Sequence, residues 1–357
     1  DRSLGRFIGG MNMEKINVGV IGAGSIGKIH LQAYTSIPDV RVAAVVDIIE
    51  DRARQAAESF GIPKYYTDYR EMLEKEKLDA VSVCVPNYLH SPMTVDALNA
   101  GVNVICEKPM AINAKEAQKM VDAARANNKI LMVALCWRFS DEAKTIKEFI
   151  NQGYLGNIYY AKVGILRLSG IPGMGGWFTN KDKSGGGPLI DLAPHFLDLA
   201  MWFMNHPKPV SVKGYTYAKF GPLNKRKGNW GIPEPGGKFD VEDLGCAIIG
   251  LENGATIFVE MSWASNIERD TTYCTLFGDK GGAEMMPTKI FTEMAGKYVE
   301  IVPRIEKVNS YLEELKHFVQ CIKDGTPPIP KGEEGVIDMQ IIDAIYESAR
   351  TGKEVRL

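Results

Sequence analysis

The sequence predicts an α/β chain in two parts, a doubly wound parallel sheet followed by an α+β domain with a large open, mainly antiparallel sheet. Three observations carry that expectation. A strand, a glycine turn, a helix and a second strand follow one another from Ile16 to Asp47. Strands and helices keep alternating as far as Cys136, the pattern of a parallel sheet wrapped by helices. From Ile158 onward strands succeed one another with few helices between them, which favours antiparallel pairing.

The first element, Ile16 to Ile21, has the β-branched enrichment of a strand buried on both faces. GAGSIG, Gly22 to Gly27, then fits G-x-G-x-x-G. Gly22 permits the tight turn, Gly24 lets a pyrophosphate approach bare backbone, and Gly27 lets the helix pack close to the sheet. Ser25 and Ile26 open that helix, whose free N–H groups and dipole attract a phosphate. The second strand, Val40 to Val46, ends at Asp47, twenty positions beyond Gly27, where a carboxylate can accept from ribose hydroxyls. A bare glycine triplet is weak evidence, but with this strand, helix and acid it specifies a dinucleotide site. Asp47 repels a 2′-phosphate and Ile48 and Ile49 supply no cation, so NAD is favoured over NADP despite the nearby Arg52 and Arg54.

The remaining elements follow in order. Helices are expected over Asp51 to Phe60 and Tyr69 to Glu76, and a buried strand over Ala80 to Val85. That strand runs into VPNYLH, where Pro86 stops it at its carboxyl end, the edge at which open α/β sheets bind ligands. Asn87 and His90 are thereby placed to meet the cofactor, although Asn is also a good helix cap and Pro92 suits a first turn. After a helix from Pro92 to Ala100, the strand Val102 to Cys106 delivers Glu107 and Lys108 to the same edge. A lysine there is usually a solvated surface charge. Beside a nicotinamide its ammonium could instead stabilise negative charge developing on a substrate oxygen. Helix Ala114 to Asn127, strand Ile130 to Cys136 and Trp137-Arg138-Phe139 complete the unit, and helix Asp141 to Gln152 follows.

In the second half, strands are expected over Ile158 to Leu168, Val210 to Phe220, Leu244 to Leu251, Ala255 to Trp263 and Thr272 to Phe277. Asn253-Gly254 is a hairpin signal between two of them. Ser184 to Met204 opens with a flexible glycine run and continues as an amphipathic helix on which Asp191 and His195, four apart, share a face. A lone histidine on such a helix is more often structural, so its reading depends on a cofactor domain lying opposite. Helices Ser310 to Lys323 and Gly335 to Thr351 close the chain.

Composition excludes several classes. The chain has 357 residues, enough for two domains, because single cores stop growing near about 250 to 300. Its 42 basic and 44 acidic residues form no basic block, which argues against nucleic acid or an anionic membrane as partner. No apolar run reaches the roughly 18 to 20 residues of a membrane span. The six cysteines form no C-x-x-C pair, which suits buried thiols in a reducing cytoplasm. Residues 1–13 read as a tag or extended start, with Met11 or Met13 opening the functional protein.

GAGSIG, Glu107-Lys108-Pro109 and the D-x-x-x-H pair Asp191/His195, in that order, resemble the GFO/IDH/MocA oxidoreductases, named for glucose-fructose oxidoreductase and inositol dehydrogenase. The resemblance extends from Lys15 through the closing DAIYESARTGKEVRL. It implies a Rossmann domain over 14–137 and a substrate-binding and oligomerisation domain over 138–357, whose last helices pack back on the first. It implies sugar, inositol or related polyol substrates and a homodimer or homotetramer formed through the second sheet. By position, Lys108 and His195 match the catalytic pair and Asp191 the acid beside them. The loops from Pro86 to His90 and at Glu107 and Lys108 match nicotinamide-side contacts. Many members carry Asn-x-Arg where this chain has Cys136-Trp137-Arg138, so Arg138 stays a cofactor candidate while an amide contact is in doubt. Gly221 to Asp240 reads as a lid or subunit-contact loop.

The expected chemistry is hydride transfer between NAD and a secondary hydroxyl or ketone. His195 is the base, since imidazole has an unperturbed pKa of about 6.5. Lys108 steadies the oxygen, and Asp191 holds a substrate hydroxyl or the histidine. Rivals are an NAD-dependent redox-neutral glycosidase and a non-catalytic nucleotide-sensing regulator, against which the intact lysine and histidine argue. Asp191 and His195 alone make too few ligands for a metal.

Overall fold

The computed structural model describes residues 15–357, and the expected tag or extended start lies outside the described residues. The first unit is built from β1 (Ile16–Ile21), α1 (Ser25–Thr35), β2 (Val40–Val46), α2 (Glu50–Phe60), β3 (Tyr65–Tyr66), α3 (Tyr69–Lys75), β4 (Ala80–Val83), α4 (Asn87–Asn99), β5 (Asn103–Glu107), α5 (Ala114–Ala126) and β6 (Leu131–Ala134). Its six strands pair in parallel in the order β3-β2-β1-β4-β5-β6. The order reverses between β1 and β4, and a crevice opens at such a reversal outside the carboxyl ends of the strands. Val18, Val20, Val45, Val81, Val83, Val104 and Ile105 are fully buried, as expected of strands covered on both faces.

A single 3-10 turn at Cys136–Phe139 leads into α6 (Asp141–Asn151) and the second unit. There β7 (Ile158–Leu166), α7 (Lys181–Ser184), α8 (Pro188–Phe203), β8 (Pro209–Tyr217), β9 (Leu244–Leu251), β10 (Thr256–Ser262), β11 (Thr271–Gly278), β12 (Gly281–Met285), β13 (Thr288–Met294) and β14 (Lys297–Ile301) precede α9 (Ser310–Asp324), α10 (Gly332–Thr351) and β15 (Val355–Arg356). Nine strands pair in the order β14-β13-β12-β11-β7-β10-β9-β8-β15. The sheet is antiparallel except at its centre, where β7 and β10 run parallel. Asn253-Gly254 closes the β9–β10 hairpin with Gly254 at φ +82°.

Three differences from the sequence reading bear on the site. The helix expected to start at Pro92 begins at Asn87, so Asn87 to His90 form its first turn. The α8 helix is not amphipathic: every residue from Pro188 to Phe203 is buried except His195 and Trp202. A helix apolar on all sides belongs in a core, and α8 lies between β7 and β10 on one side and α10 on another. The glycine run before it is not a flexible entry either. A Cβ on Gly186 would stand 2.0 Å from the Tyr346 hydroxyl and one on Gly187 2.0 Å from the Glu242 carbonyl, so close approach demands glycine there.

The two units are stitched by the terminal helices. Leu315, Phe318 and Val319 of α9 share a buried cluster with Val18, Leu31 and Ile105, while α10 packs against α5, α8 and β8. Burying each such large apolar side chain contributes about 1.5–3 kcal/mol, and this seam holds the two sheets at a fixed angle around the crevice. Among the described residues no helix is long and apolar enough to cross a membrane.

Candidate active site

A cavity of about 600 Å³ lies in that crevice. The first unit contributes Ser25, Ile26, Asn87, Glu107 and Lys108 to its walls, and the second contributes Arg167, Asp191 and His195. The residues singled out in the sequence on separate halves of the chain therefore face one space.

The glycine turn is built as its residue types require. Gly22 has φ +101° and a Cβ there would meet the Cys84 carbonyl oxygen at 2.1 Å, while one on Gly27 would meet the Gly22 carbonyl at 1.9 Å. A Cβ on Gly24 would touch nothing within 4 Å, so that glycine keeps room open for a ligand rather than for protein. The first turn of α1 has no side-chain cap, leaving its N–H groups free for an anion. Asp47 accepts from Ala23 N–H at 3.0 Å and from Ile49 N–H at 2.9 Å, bracing the turn, and Arg52 stands 4.0 Å away. Each carboxylate oxygen has a further lone pair for a ribose hydroxyl. This set fits NAD: a pyrophosphate against Gly24, Ser25 and Ile26, and a ribose against Asp47.

The other wall begins where β5 ends. Glu107 is buried, with one oxygen 3.0 Å from His30 Nε2, whose Nδ1 lies 3.0 Å from Ser82 Oγ, and it accepts from Lys108 N–H at 3.1 Å. Glu314 is fully buried, and burial together with the charge of Glu107 pushes its carboxyl well above the usual range. Lys108 Nζ donates to the Asp191 carbonyl oxygen at 2.9 Å and to Asp191 Oδ1 at 3.2 Å. The second oxygen of Asp191 accepts from the indole N–H of Trp263, at 2.9 Å. Both oxygens of Asp191 are thus engaged by Lys108 and Trp263, and no hydrogen bond joins the acid to His195. Of the two expectations for Asp191, a hydrogen bond to the histidine is not seen, and the acid is instead paired with Lys108. His195 Nδ1 is buried without a partner. Burial first, then the positive charges of Lys108 and Arg167, hold its imidazole well below the usual histidine range, leaving it neutral and able to accept a proton.

Other residues expected at the cofactor also brace the fold. His90 lies at the cavity edge, yet its ring nitrogens sit 2.7 Å from the Pro109 and Val85 carbonyl oxygens, clamping the two loops together. Pro86 occupies the N-cap of α4, and Asn87 donates to the Ser184 carbonyl oxygen at 2.8 Å, tying the first unit to the turn before α8. Arg138 is a correction. Its guanidinium is buried in the interior, donating to Asp198 at 2.7 Å and paired with Glu334 at 2.6 Å, under Trp202 and off the cavity wall. A guanidinium held in the interior by two carboxylates is out of reach of a cofactor in the cavity. Trp263 went unnoticed in the sequence because nothing near it marks a site. The only clue is its type, since a buried tryptophan needs an acceptor for its N–H.

The fold, the glycine turn and the lysine and histidine across one crevice define an NAD-binding oxidoreductase. Residues 16–135 match the family described as GFO_IDH_MocA, oxidoreductase family, NAD-binding Rossmann fold, and residues 147–357 match its C-terminal alpha/beta domain. The chain belongs to this family of NAD-binding oxidoreductases. It is 36% identical over 350 residues to a D-glucoside 3-dehydrogenase of Escherichia coli, covering 97% of this chain and 99% of that one. It is 27% identical to a myo-inositol 2-dehydrogenase of Thermotoga maritima over 96% of this chain and 98% of that one. A levoglucosan dehydrogenase solved with NADH and levoglucosan shares the fold at a TM-score of 0.85, with 24% identity over 96% of this chain and 99% of that one.

Proposed function

We propose that the protein oxidises a secondary ring hydroxyl of a pyranoside, or reduces the matching ketone, with His195 as base, Lys108 as the cation on the reacting oxygen and Asp191 as the group that holds Lys108. The observation that carries this reading is the one cavity walled both by Lys108, just past β5, and by His195 from α8. NAD would be held by Gly22, Gly24, Ser25, Ile26, Gly27 and Asp47, with Asn87 and Glu107 on the nicotinamide side. Bound there, it supplies a two-electron hydride acceptor.

His195 takes the hydroxyl proton as the carbinol carbon loses its hydride. The neutral imidazole described above is the form this needs, and such positioned base catalysis typically gives about 10² to 10⁴ in rate. Lys108 donates a hydrogen bond to the same oxygen and stabilises its alkoxide character in a site partly screened from water. Asp191 keeps Nζ of Lys108 on station from a carboxylate itself pinned by Trp263. The relative named D-glucoside 3-dehydrogenase makes a glucoside the first substrate to try.

We also read the chain as a homodimer or homotetramer of the cytoplasm. Tyr215, Ile248 and Phe277 share the uncovered face of the nine-stranded sheet with 48, 53 and 36% exposure, which supports burial against a second copy. All six cysteines are unbonded, which supports a reducing compartment. The function is tested by reduced-cofactor absorbance with NAD and a panel of glucosides, free sugars, inositols and sugar acids. His195→Ala and Lys108→Ala should each lower turnover at least about 100-fold while NAD still binds. Retained turnover in both variants discards these roles.

A further inference from the structure

Two loops that the catalytic roles leave unused build the outer wall of the same cavity. The segment between β7 and α8 is laced to the segment between β8 and β9 by backbone hydrogen bonds. Ile171 N–H donates to Arg226 O at 3.1 Å, Gly228 N–H to Ile171 O at 2.7 Å, Gly173 N–H to Trp230 O at 2.9 Å and Glu234 N–H to Met174 O at 3.0 Å. A Cβ on Gly175 would fall 2.1 Å from Glu234 O, and one on Gly176 2.3 Å from Ile232 O, so glycines allow the two backbones to touch. The stretch expected to be a lid or a subunit contact is therefore fastened along its length as part of a wall.

From this wall Trp177, Phe178 and Trp230 reach the cavity, each only partly buried. Trp177 and Phe178 stack with ring centroids 3.7 Å apart, and Trp230 meets Phe178 edge-on at 4.9 Å. Arg167 lies over Trp230 with Cζ 5.6 Å from the ring centroid, and no carboxylate among the described residues pairs with it. It lines the same cavity as Lys108 and His195, so one side chain borders both the reacting groups and the aromatic wall.

We propose that Arg167, Trp177, Phe178 and Trp230 form a second subsite, which takes the ring joined through a glycosidic bond to the pyranose being oxidised, so that the preferred substrate is a two-ring glycoside. This rests on the pyranoside reading above. A ring seated between Lys108 and His195 presents only hydroxyls to those two residues, and a one-ring substrate leaves the aromatic faces wet. A second ring covers them with its C–H or π face, and the apolar area so removed from water adds affinity. The guanidinium has five donors in a planar fork and no acid to satisfy them, which suits the hydroxyl and bridging oxygens near the linkage.

The experiment compares methyl glucoside with phenyl glucoside and a glucose disaccharide. Steady-state kinetics with NAD are paired with titrations of tryptophan fluorescence in the absence of cofactor, using the wild type, Trp230→Ala, Trp230→Phe and Arg167→Ala. In the wild type, kcat/KM for the two-ring compounds should exceed that for methyl glucoside at least tenfold. Trp230→Ala and Arg167→Ala should lower that ratio at least tenfold and raise the two-ring dissociation constant to match, while Trp230→Phe, which keeps a flat face, should recover much of it. A ratio that stays constant across the variants, or an equal loss on all three substrates, overturns the subsite and leaves the pyranoside reading standing. Two-ring binding that responds to the variants without any cofactor reduction keeps the subsite and overturns the activity.

Discussion

Replacing Trp263 with phenylalanine tests how the lysine is held. Trp263 is fully buried just beyond β10, and its indole N–H donates to Asp191 Oδ2 at 2.9 Å, opposite the oxygen that receives Lys108. Phenylalanine keeps a ring in the core and removes the donor. A hydrogen bond to a charged group contributes about 1.5–3 kcal/mol net. If the freed carboxylate swings and takes Lys108 with it, the loss appears in the transition state, and at about 1.4 kcal/mol per decade turnover falls about 10- to 150-fold. The assay is kcat and KM on a saturating glucoside, with NAD affinity measured separately by fluorescence and folding checked by thermal unfolding. The account requires kcat to fall while NAD affinity holds. A folded variant with kcat within about twofold of wild type would refute the claim that Trp263 positions Asp191 and, through it, Lys108.

Other outcomes follow from the same geometry. Because burial and two cations lower the His195 pKa, the neutral base persists as pH falls through about 6.5, so the acid limb of kcat/KM should lie below that value. Arg167→Gln should move this limb upward in a pH–rate profile. Gly24→Ala, whose Cβ meets no protein atom, should weaken NAD binding at least about tenfold with little change in melting temperature, whereas Gly27→Ala should impair folding itself. Asp47→Ala should shift the NAD to NADP preference toward NADP, and an unchanged ratio of dissociation constants would remove Asp47 from the ribose site. Arg138→Ala leaves the buried Asp198 carboxylate without its guanidinium and should cost about 3–5 kcal/mol in denaturant unfolding, with NAD affinity unaffected.

What was legible in the sequence was whatever local pattern dictates. Ile16 to Ile21 and Val40 to Val46 are strands with those very ends because β-branched runs stopped by glycine or acid admit little else. The start of α4 was misplaced because Pro92 looks like a first-turn residue, while the helix in fact begins a turn earlier and carries the proline inside it. The strands β12 to β14 were not anticipated. Their last hairpin turns on Ala295-Gly296 with φ of +52° and +69°, a conformation in which asparagine, not alanine, is the expected signal.

For the site, Lys108, Asp191 and His195 could be found because motif spacing marks them, and the structure brings all three to one cavity. Their partnerships could not be read. Whether Asp191 faces the histidine four residues away or the lysine depends on how α8 is seated between the nine-stranded sheet and α10. Trp263 and Trp230 come from loops whose contacts span the fold. Arg138 lies in the turn after β6, where a cofactor contact is plausible by position, and the carboxylates of Asp198 and Glu334 draw it inward.

A crystal structure of the wild-type enzyme with NAD and a glucoside puts the whole account to trial. One ring hydroxyl oxygen should lie within about 2.6–3.2 Å of both Lys108 Nζ and a His195 ring nitrogen, with its carbon facing the nicotinamide. A sugar bound with its reacting oxygen beyond the reach of either side chain would contradict it.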